Sequence, residues 1–306
     1  MERIVLGDAE IIRVVEWQGP FAPAQAIVPG LAATAWKENE DWLAPDHWDP
    51  STDSYVAALQ TWVIRHKGRT VLVDTGVGNG RERPHTPQFH QRQGDFPARL
   101  AAAGVRPEEV DVVVNTHLHA DHVGWNTVDR DGAWVPAFPN AVYLMPAADH
   151  AALAADAADG APLPAAGTEA ERGRREDRRL MYADSILPVE RAGQAVLWED
   201  THRIDDGLTL ETAPGHSPGS SVLRLASHGE RAVFVGDLLH SPVQLLHPSS
   251  NSCFCEDPAQ AAASRLRVLE RASDERELVI PAHFGGSGAA EVRRTGSGFA
   301  VSRWAA

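Results

Sequence analysis

The chain has 306 residues, enough to bury a substantial core as one large domain or two smaller ones. Its 28 Lys and Arg stand against 42 Asp and Glu, a formal net charge of −14, so it lacks the basic footprint on which nucleic-acid binding rests and a nuclease is disfavoured. No stretch approaches the roughly 20 apolar residues of a membrane span, and residues 1–10 lack the apolar segment of an export signal; a cytoplasmic protein without a membrane partner is expected.

Taken in order, residues 4–15 predict a strand or hairpin with Gly7-Asp8 as its turn. From 18 to 53 the periodicity dissolves into Pro, Gly, Trp and acidic residues, with Trp36, Trp42 and Trp48 inside the stretch. So long a patternless connection is uncommon. Its tryptophans either pin it to the body or form a hydrophobic lid over a site for a partly apolar substrate. Residues 55–65 and 70–73 read as a hairpin through Lys67-Gly68, and the second strand ends in Asp74-Thr75-Gly76. Residues 96–103 have helical spacing and stop at Gly104, and the apolar run 110–114 reads as a buried strand. A strand at 141–145 precedes the Ala-, Asp-, Glu- and Arg-rich stretch 147–182, broken by Gly160, Pro162 and Pro164. This stretch predicts one or two exposed helices flanking a flexible loop, an insertion more than a domain of its own.

The second half predicts short strands at 194–198, 208–212, 221–225 and 232–235, a helix over 258–271 capped by Asp257, and a last strand at 278–280. Strands in both halves with helices outside suggest a β-sandwich covered by helices on both faces. Cys253 and Cys255 stand one residue apart, too close in an extended strand for an ordinary disulfide and without the second pair of a zinc knuckle. They are expected as reduced thiols, or as a wall of the active-site pocket.

The chemistry concentrates after the 110–114 strand, where residues 116–124 read T-H-L-H-A-D-H-V-G. His117, His119, Asp121 and His122 fall within six residues at the carboxyl end of a buried strand, where open α/β sheets place their sites. A lone histidine is more often structural. Four such groups together are costly to bury unless a divalent cation satisfies them. Three later strand ends add His216, in a rigid Gly/Pro turn at 213–219, Asp237 after Gly236, and His283 after Pro281-Ala282. Seven donors exceed the three protein ligands of one catalytic zinc and suit two ions sharing a bridge. Asp74 is a natural carboxylate partner for the second ring nitrogen of a ligating histidine. His240 is a candidate substrate contact or proton donor, with a structural hydrogen bond as the alternative, and His247 is a weaker candidate. Tyr55, Tyr143 and Tyr182 are the only tyrosines, and whether one assists as an acid is open.

The motifs V-D-T-G at 73–76, 116–124, G-H-S-P-G at 215–219, G-D at 236–237 and P-A-H at 281–283, in this order, resemble the metallo-β-lactamase-fold superfamily over roughly residues 55–290. The resemblance implies an α/β fold, a four-layer αβ/βα sandwich of two mixed sheets flanked by helices. It also implies a single domain over 1–306, with a Trp-rich lid at about 18–53 and a helical insertion at about 147–182. By residue match His117, His119 and His216 would hold a first metal, Asp121, His122 and His283 a second, and Asp237 would bridge them. Within the superfamily, residues 236–244 look most like the group of methyl parathion hydrolases and N-acyl-homoserine lactonases. The commonest zinc β-lactamases have Cys where this chain has Asp237, and the flavodiiron branch has Glu where it has His119.

The implied activity is hydrolysis of a lactone, carboxylic ester or organophosphate ester with an apolar portion, by a hydroxide shared between two divalent ions. Zinc leads, with manganese, iron or cobalt as alternatives. Asp121, Asp237 and His240 are the candidate catalytic groups, Asp121 as a proton shuttle to the leaving group. An iron-dependent redox enzyme of the sulfur dioxygenase kind, and a metal-bearing binding protein without turnover, are the competing readings. The expected partner is a small-molecule substrate, and the apolar N-terminal segment leaves room for a homodimer.

Overall fold

A computed structural model of the protein describes residues 2–157 and 168–305. Gly160, Pro162 and Pro164, on which the expected insertion loop rests, lie outside the described residues. Strands β1 (Arg3–Leu6), β2 (Ala9–Pro23), β3 (Trp48–Asp49), β4 (Ser54–His66), β5 (Arg69–Val73), β6 (Val112–Val114), β7 (Thr127–Arg130), β8 (Ala133–Pro136), β9 (Val142–Pro146) and β10 (Ala195–Trp198) occupy the first two-thirds of the chain. One sheet follows the order β1-β2-β4-β5-β6-β9-β10, with β3 on β4, and β7 and β8 form a separate hairpin. Then β11 (Thr201–Arg203), β12 (Leu208–Thr212), β13 (Ser221–Ser227), β14 (Glu230–Gly236), β15 (Leu278–Pro281), β16 (Ala290–Thr295) and β17 (Gly298–Trp304) make a second sheet in sequence order. Both sheets mix parallel and antiparallel pairs.

The pleat explains the layers, because alternate side chains of a strand face opposite sides. Val71, Val73, Val112 and Val114 meet Leu210, Leu223, Phe234 and Ile280 of the second sheet in one core. Leu72 and Val113, one residue out of step, pack instead with Phe96, Leu100, Leu153 and Met181 of the covering helices. In the second sheet Ala232 and Phe234 face inward, while Val233 and Val235 pack on Val268, Leu269 and Ala272 of the helix Pro258–Glu275. The result is the expected helix–sheet–sheet–helix sandwich. Asp257 caps that helix, its carboxylate accepting from Gln260 N at 2.9 Å.

Several stretches differ from expectation, among them the β7–β8 hairpin and β11, which no predicted strand covers. Residues 18–23, read as patternless, continue β2 against β4 across two register shifts. Beyond Ile12 the strand has a neighbour on one side only, which tolerates Pro20 and Pro23. The β16–β17 hairpin has no counterpart in the predicted strands; its exposed Arg293 and Arg294 interrupt the apolar pattern. Trp36 and Trp48, 1% and 2% exposed, pack with Tyr55, Ala57 and Val243 in a satellite core, and Trp42 lies partly buried against it. The 147–182 stretch contributes the helices Ala147–Ala157 and Glu169–Met181. No helix among the described residues is long and apolar enough to cross a membrane.

Candidate metal centre

The centre lies where the carboxyl ends of β5, β6, β12, β14 and β15 come together. After Val114 the chain leaves its sheet and turns tightly, His122 N donating to His119 O at 3.0 Å. Asn115 Nδ2 and Thr75 N both donate to His122 O, closing the loop against the end of β5. Asp74 holds this turn from beneath. Its backbone sits at φ +56°, an uncommon conformation that Asp tolerates better than most residues. Its carboxylate accepts from Thr116 N and Thr116 Oγ1, both at 2.8 Å, and meets His122 Nδ1 at 2.9 Å. The remaining nitrogen of His122 is thereby aimed into the centre.

The other three groups arrive singly. His216 follows Gly215, where φ is +128° and a Cβ would lie 2.1 Å from Ala261 N, so only glycine lets this turn reach the helix. Asp237 follows Gly236 at φ +50°, where a Cβ would approach Thr116 Oγ1 to 2.8 Å. His283 donates from Nδ1 to Ala58 O at 2.9 Å, leaving Nε2 for the centre.

All seven residues singled out by the sequence come together, and they fall into two groups: His117, His119, His216 and Asp237, then Asp121, His122 and His283. Asp237 touches both. Its Oδ2 lies 3.2 Å from His216 Nε2 and 3.8 Å from His117 Nε2, while its Oδ1 lies 3.1 Å from His283 Nε2 and 3.3 Å from His122 Nε2. Asp121 completes the second group at 3.7 Å from His122 and 3.5 Å from His283. His119 Nδ1 and His216 Nε2 stand 3.0 Å apart, a contact that two neutral acceptor nitrogens can make only through a shared proton or ion. His117 Nε2, His122 Nε2 and Asp237 Oδ1 are buried without a hydrogen-bond partner. Unpaired buried polar atoms converging on one place fit a cation.

The electrostatics agree. Burial, reinforced by the His122 and His119 rings, pushes His117 well below its ordinary value, and burial likewise lowers His216. At His122 burial opposes the charge, but Asp237, Asp74 and Asp121 outweigh it and raise the ring well above its ordinary value. Burial also works against ionisation of Asp237, yet His283, His122, His240 and His216 hold its carboxyl well below the usual range. The neutral His117 and His216 rings beside a firmly ionised Asp237 are the states that metal ligation requires, whereas His122 and His283, which the Asp237 and Asp121 charges raise against burial, give up a proton on ligation.

His240 stands at the rim of the first group, its Nε2 3.3 Å from Asp237 Oδ2, and neither ring nitrogen has a hydrogen-bond partner. Tyr55 lies behind it, its hydroxyl donating to His240 O at 2.8 Å. Burial, with the Asp237 and Asp121 charges, raises that phenol far above its ordinary range, which suits a strut and not an acid. Tyr143 donates to Asn126 O and Tyr182 to Glu190. His247 closes the short helix Val243–Leu246.

Sequence reasoning missed Asp149. From the first turn of the helix Ala147–Ala157 its carboxylate accepts from Leu118 N and Ser217 Oγ, both at 2.9 Å, and from Gly219 N at 2.5 Å. One buried side chain thus ties the 117–122 turn to the His216 turn. The available signal was an Asp directly after an apolar strand, in a stretch otherwise read as surface.

Fold and cluster together define a metal-dependent hydrolase that takes divalent ions. The sequence profile of the metallo-beta-lactamase superfamily matches residues 58–283, and the chain belongs to that superfamily. Among solved structures the chain is similar to AbOPH, a hydrolase of the beta-lactamase superfamily, at 20% identity and a TM-score of 0.77 over 98% of this chain and 95% of that one. It is similar to AidC, a dizinc quorum-quenching lactonase, in complex with a product, at 22% identity and a TM-score of 0.76 over 98% and 96%. A probable metal-dependent hydrolase from Staphylococcus aureus follows at 16% identity and a TM-score of 0.73 over 98% and 99%.

Proposed function

We propose that the protein is a dinuclear hydrolase cleaving a lactone, carboxylic ester or organophosphate ester that carries an apolar portion. The observation that carries this reading is the division of seven ligand atoms into two groups with one oxygen of Asp237 turned to each. His117, His119 and His216 would hold one ion, Asp121, His122 and His283 the other, and Asp237 both. Two bound divalent ions, zinc foremost for this set of nitrogen and oxygen donors, supply a water of lowered pKa and an electrophile for the carbonyl or phosphoryl oxygen.

The chain's own groups do the rest. The Asp121 side chain is 16% exposed where that of Asp237 is 4%, which supports the reading of Asp121 as the group that carries a proton to the leaving group. His240, with both ring nitrogens free, donates a hydrogen bond to the substrate oxygen beside Asp237. Phe254 stacks on His240 at 5.7 Å and is 44% exposed, an apolar face at the site. Between His119 and Asp121, Ala120 packs on the Leu59, Val77 and Phe89 cluster together with Phe21, which brings the 18–53 stretch to the site's flank. Such walls suit an acyl or aryl group.

The test is a panel of an N-acyl-homoserine lactone, aryl esters and an aryl phosphotriester offered to the metal-loaded protein. Turnover of at least one class, lost on chelation and restored by zinc, is expected. Failure to turn over any class with two ions bound per chain, or turnover that survives complete metal removal, contradicts the reading.

A further inference from the structure

His283 reaches the centre from the second sheet, yet what holds it comes from the first. After Pro281 the β15 strand has ended, and residues 282–286 make no ladder of their own. Their carbonyls need donors, since unpaired buried carbonyls are costly. Ala58 N, on β4, donates to His283 O at 3.1 Å while His283 Nδ1 donates back to Ala58 O. Two residues along β4, Gln60 Nε2 donates to Pro281 O at 3.4 Å and Phe284 O at 3.3 Å. From β2, Arg13 donates through Nη2 to Phe284 O at 2.9 Å and through Nη1 to Gly286 O. Arg13 Nε donates to Gln60 Oε1, which turns the amide so that its own donors face the loop.

Arg13 is 5% exposed, and its ion-pair partner Glu2, at 2.9 Å, has a side chain 47% exposed. Burying a guanidinium that spends two of its donors on backbone carbonyls is an expensive way to stabilise a loop. It is a direct way to fix the register of the residue between those carbonyls.

We propose that Arg13 and Gln60 form a positioning pair for His283, setting the affinity of the Asp121, His122 and His283 group and leaving the His117, His119 and His216 group largely untouched. The inference rests on the two-group reading above. The pair touches neither substrate nor ion, and it acts through the backbone on either side of the ligand.

The experiment is a competition titration of the metal-free protein with cobalt against a chelator, followed by visible absorption, on the wild type, Arg13→Met, Arg13→Lys and Gln60→Leu. The wild type is expected to bind in two steps. Arg13→Met should weaken one step about 10–100-fold and shift the other by less than about threefold, the range found when a residue supporting a metal ligand is removed. Gln60→Leu should act on the same step, and Arg13→Lys, which keeps a charged donor, should recover part of the loss. Equal weakening of both steps overturns the proposal, as does an unchanged titration in variants whose metal-free melting is lowered, which is the mark of a purely structural role. If Arg13→Met does not fold, the other two variants decide by the same criteria. A single step in the wild type breaks the two-group reading itself and the proposal with it, an outcome separable from any effect of the variants.

Discussion

The 116–122 turn supplies four candidate metal-binding groups from six residues, whereas His216, Asp237 and His283 each stand alone after a different strand of the second sheet. The first set is closed by the bonds of Asn115, His119 and His122 with one another and braced as one unit by the carboxylates of Asp74 and Asp149. The second set is held one ligand at a time, each by its own buried side chain. Asp149 grips the His216 turn, Arg13 and Gln60 grip the His283 loop, and Arg265 holds the Asp237 loop by donating to Leu238 O and Pro248 O. Two buried carboxylates serve all four groups of the local turn, whereas each scattered ligand needs a buried charged or amide side chain of its own.

Asp237 is where the two sets meet, and removing it should have the largest effect. Asp237→Ala is expected to abolish hydrolysis and strip metal from the protein while the far-ultraviolet circular dichroism stays that of the folded chain. His119→Ala should also abolish hydrolysis, although Asp237 still connects the groups. Next comes His240→Gln, for which a loss in kcat of about 100-fold is expected at the low end of general acid–base contributions, with metal content unchanged. A loss of bound metal in that variant would instead make His240 part of the ligand set.

Asp149→Ala tests the long-range grip. It should weaken metal binding about 10–100-fold, as removal of a supporting residue commonly does. It should also lower stability by about 1–3 kcal/mol for each donor it leaves unpaired. Metal affinity unaltered in the folded variant would show that the His216 turn needs no support from the first half. Trp48→Ala should cost about 3–5 kcal/mol of stability, as large-to-small core changes do, with little change in kcat. A collapse of kcat at unchanged stability would favour the lid reading of the 18–53 stretch.

The smallest effect concerns pH. Burial, with the nearby Arg13 charge, pushes His47 down to about 3 from 6.5. The unfolded chain therefore takes up this proton first as the solution is acidified. Stability from the neutral ring is complete above about 6.5 and is lost as pH falls towards 3. His47 stacks on Trp304 at 5.1 Å, so His47→Phe keeps a ring there. Melting temperatures measured in parallel should fall less steeply for the variant across that window.

That these seven groups would come together was legible because most of them follow a short apolar, β-branched run, a pattern in which a polar residue at the strand end stands out. The pleat was legible for the same reason in the triple valine of β6. What could not be read was the grip on those ligands. Asp149, Arg13, Gln60 and Arg265 sit in stretches of ordinary composition, and Arg13 meets Phe284 across 271 residues. Residues 18–23 were obscured by Gly19, Pro20 and Pro23, which are poor strand formers that a one-sided pairing accepts. The role of the tryptophans was left open because burial against Tyr55 and Val243 depends on long-range packing that no local pattern encodes.

Seven groups are expected to make two neighbouring metal positions joined by Asp237. Anomalous diffraction from zinc-loaded crystals, recorded on both sides of the zinc edge, tests it most directly. Two peaks are expected, one among His117, His119 and His216 and one among Asp121, His122 and His283, each within bonding distance of Asp237. A single peak, or two peaks of which only one touches Asp237, would contradict it.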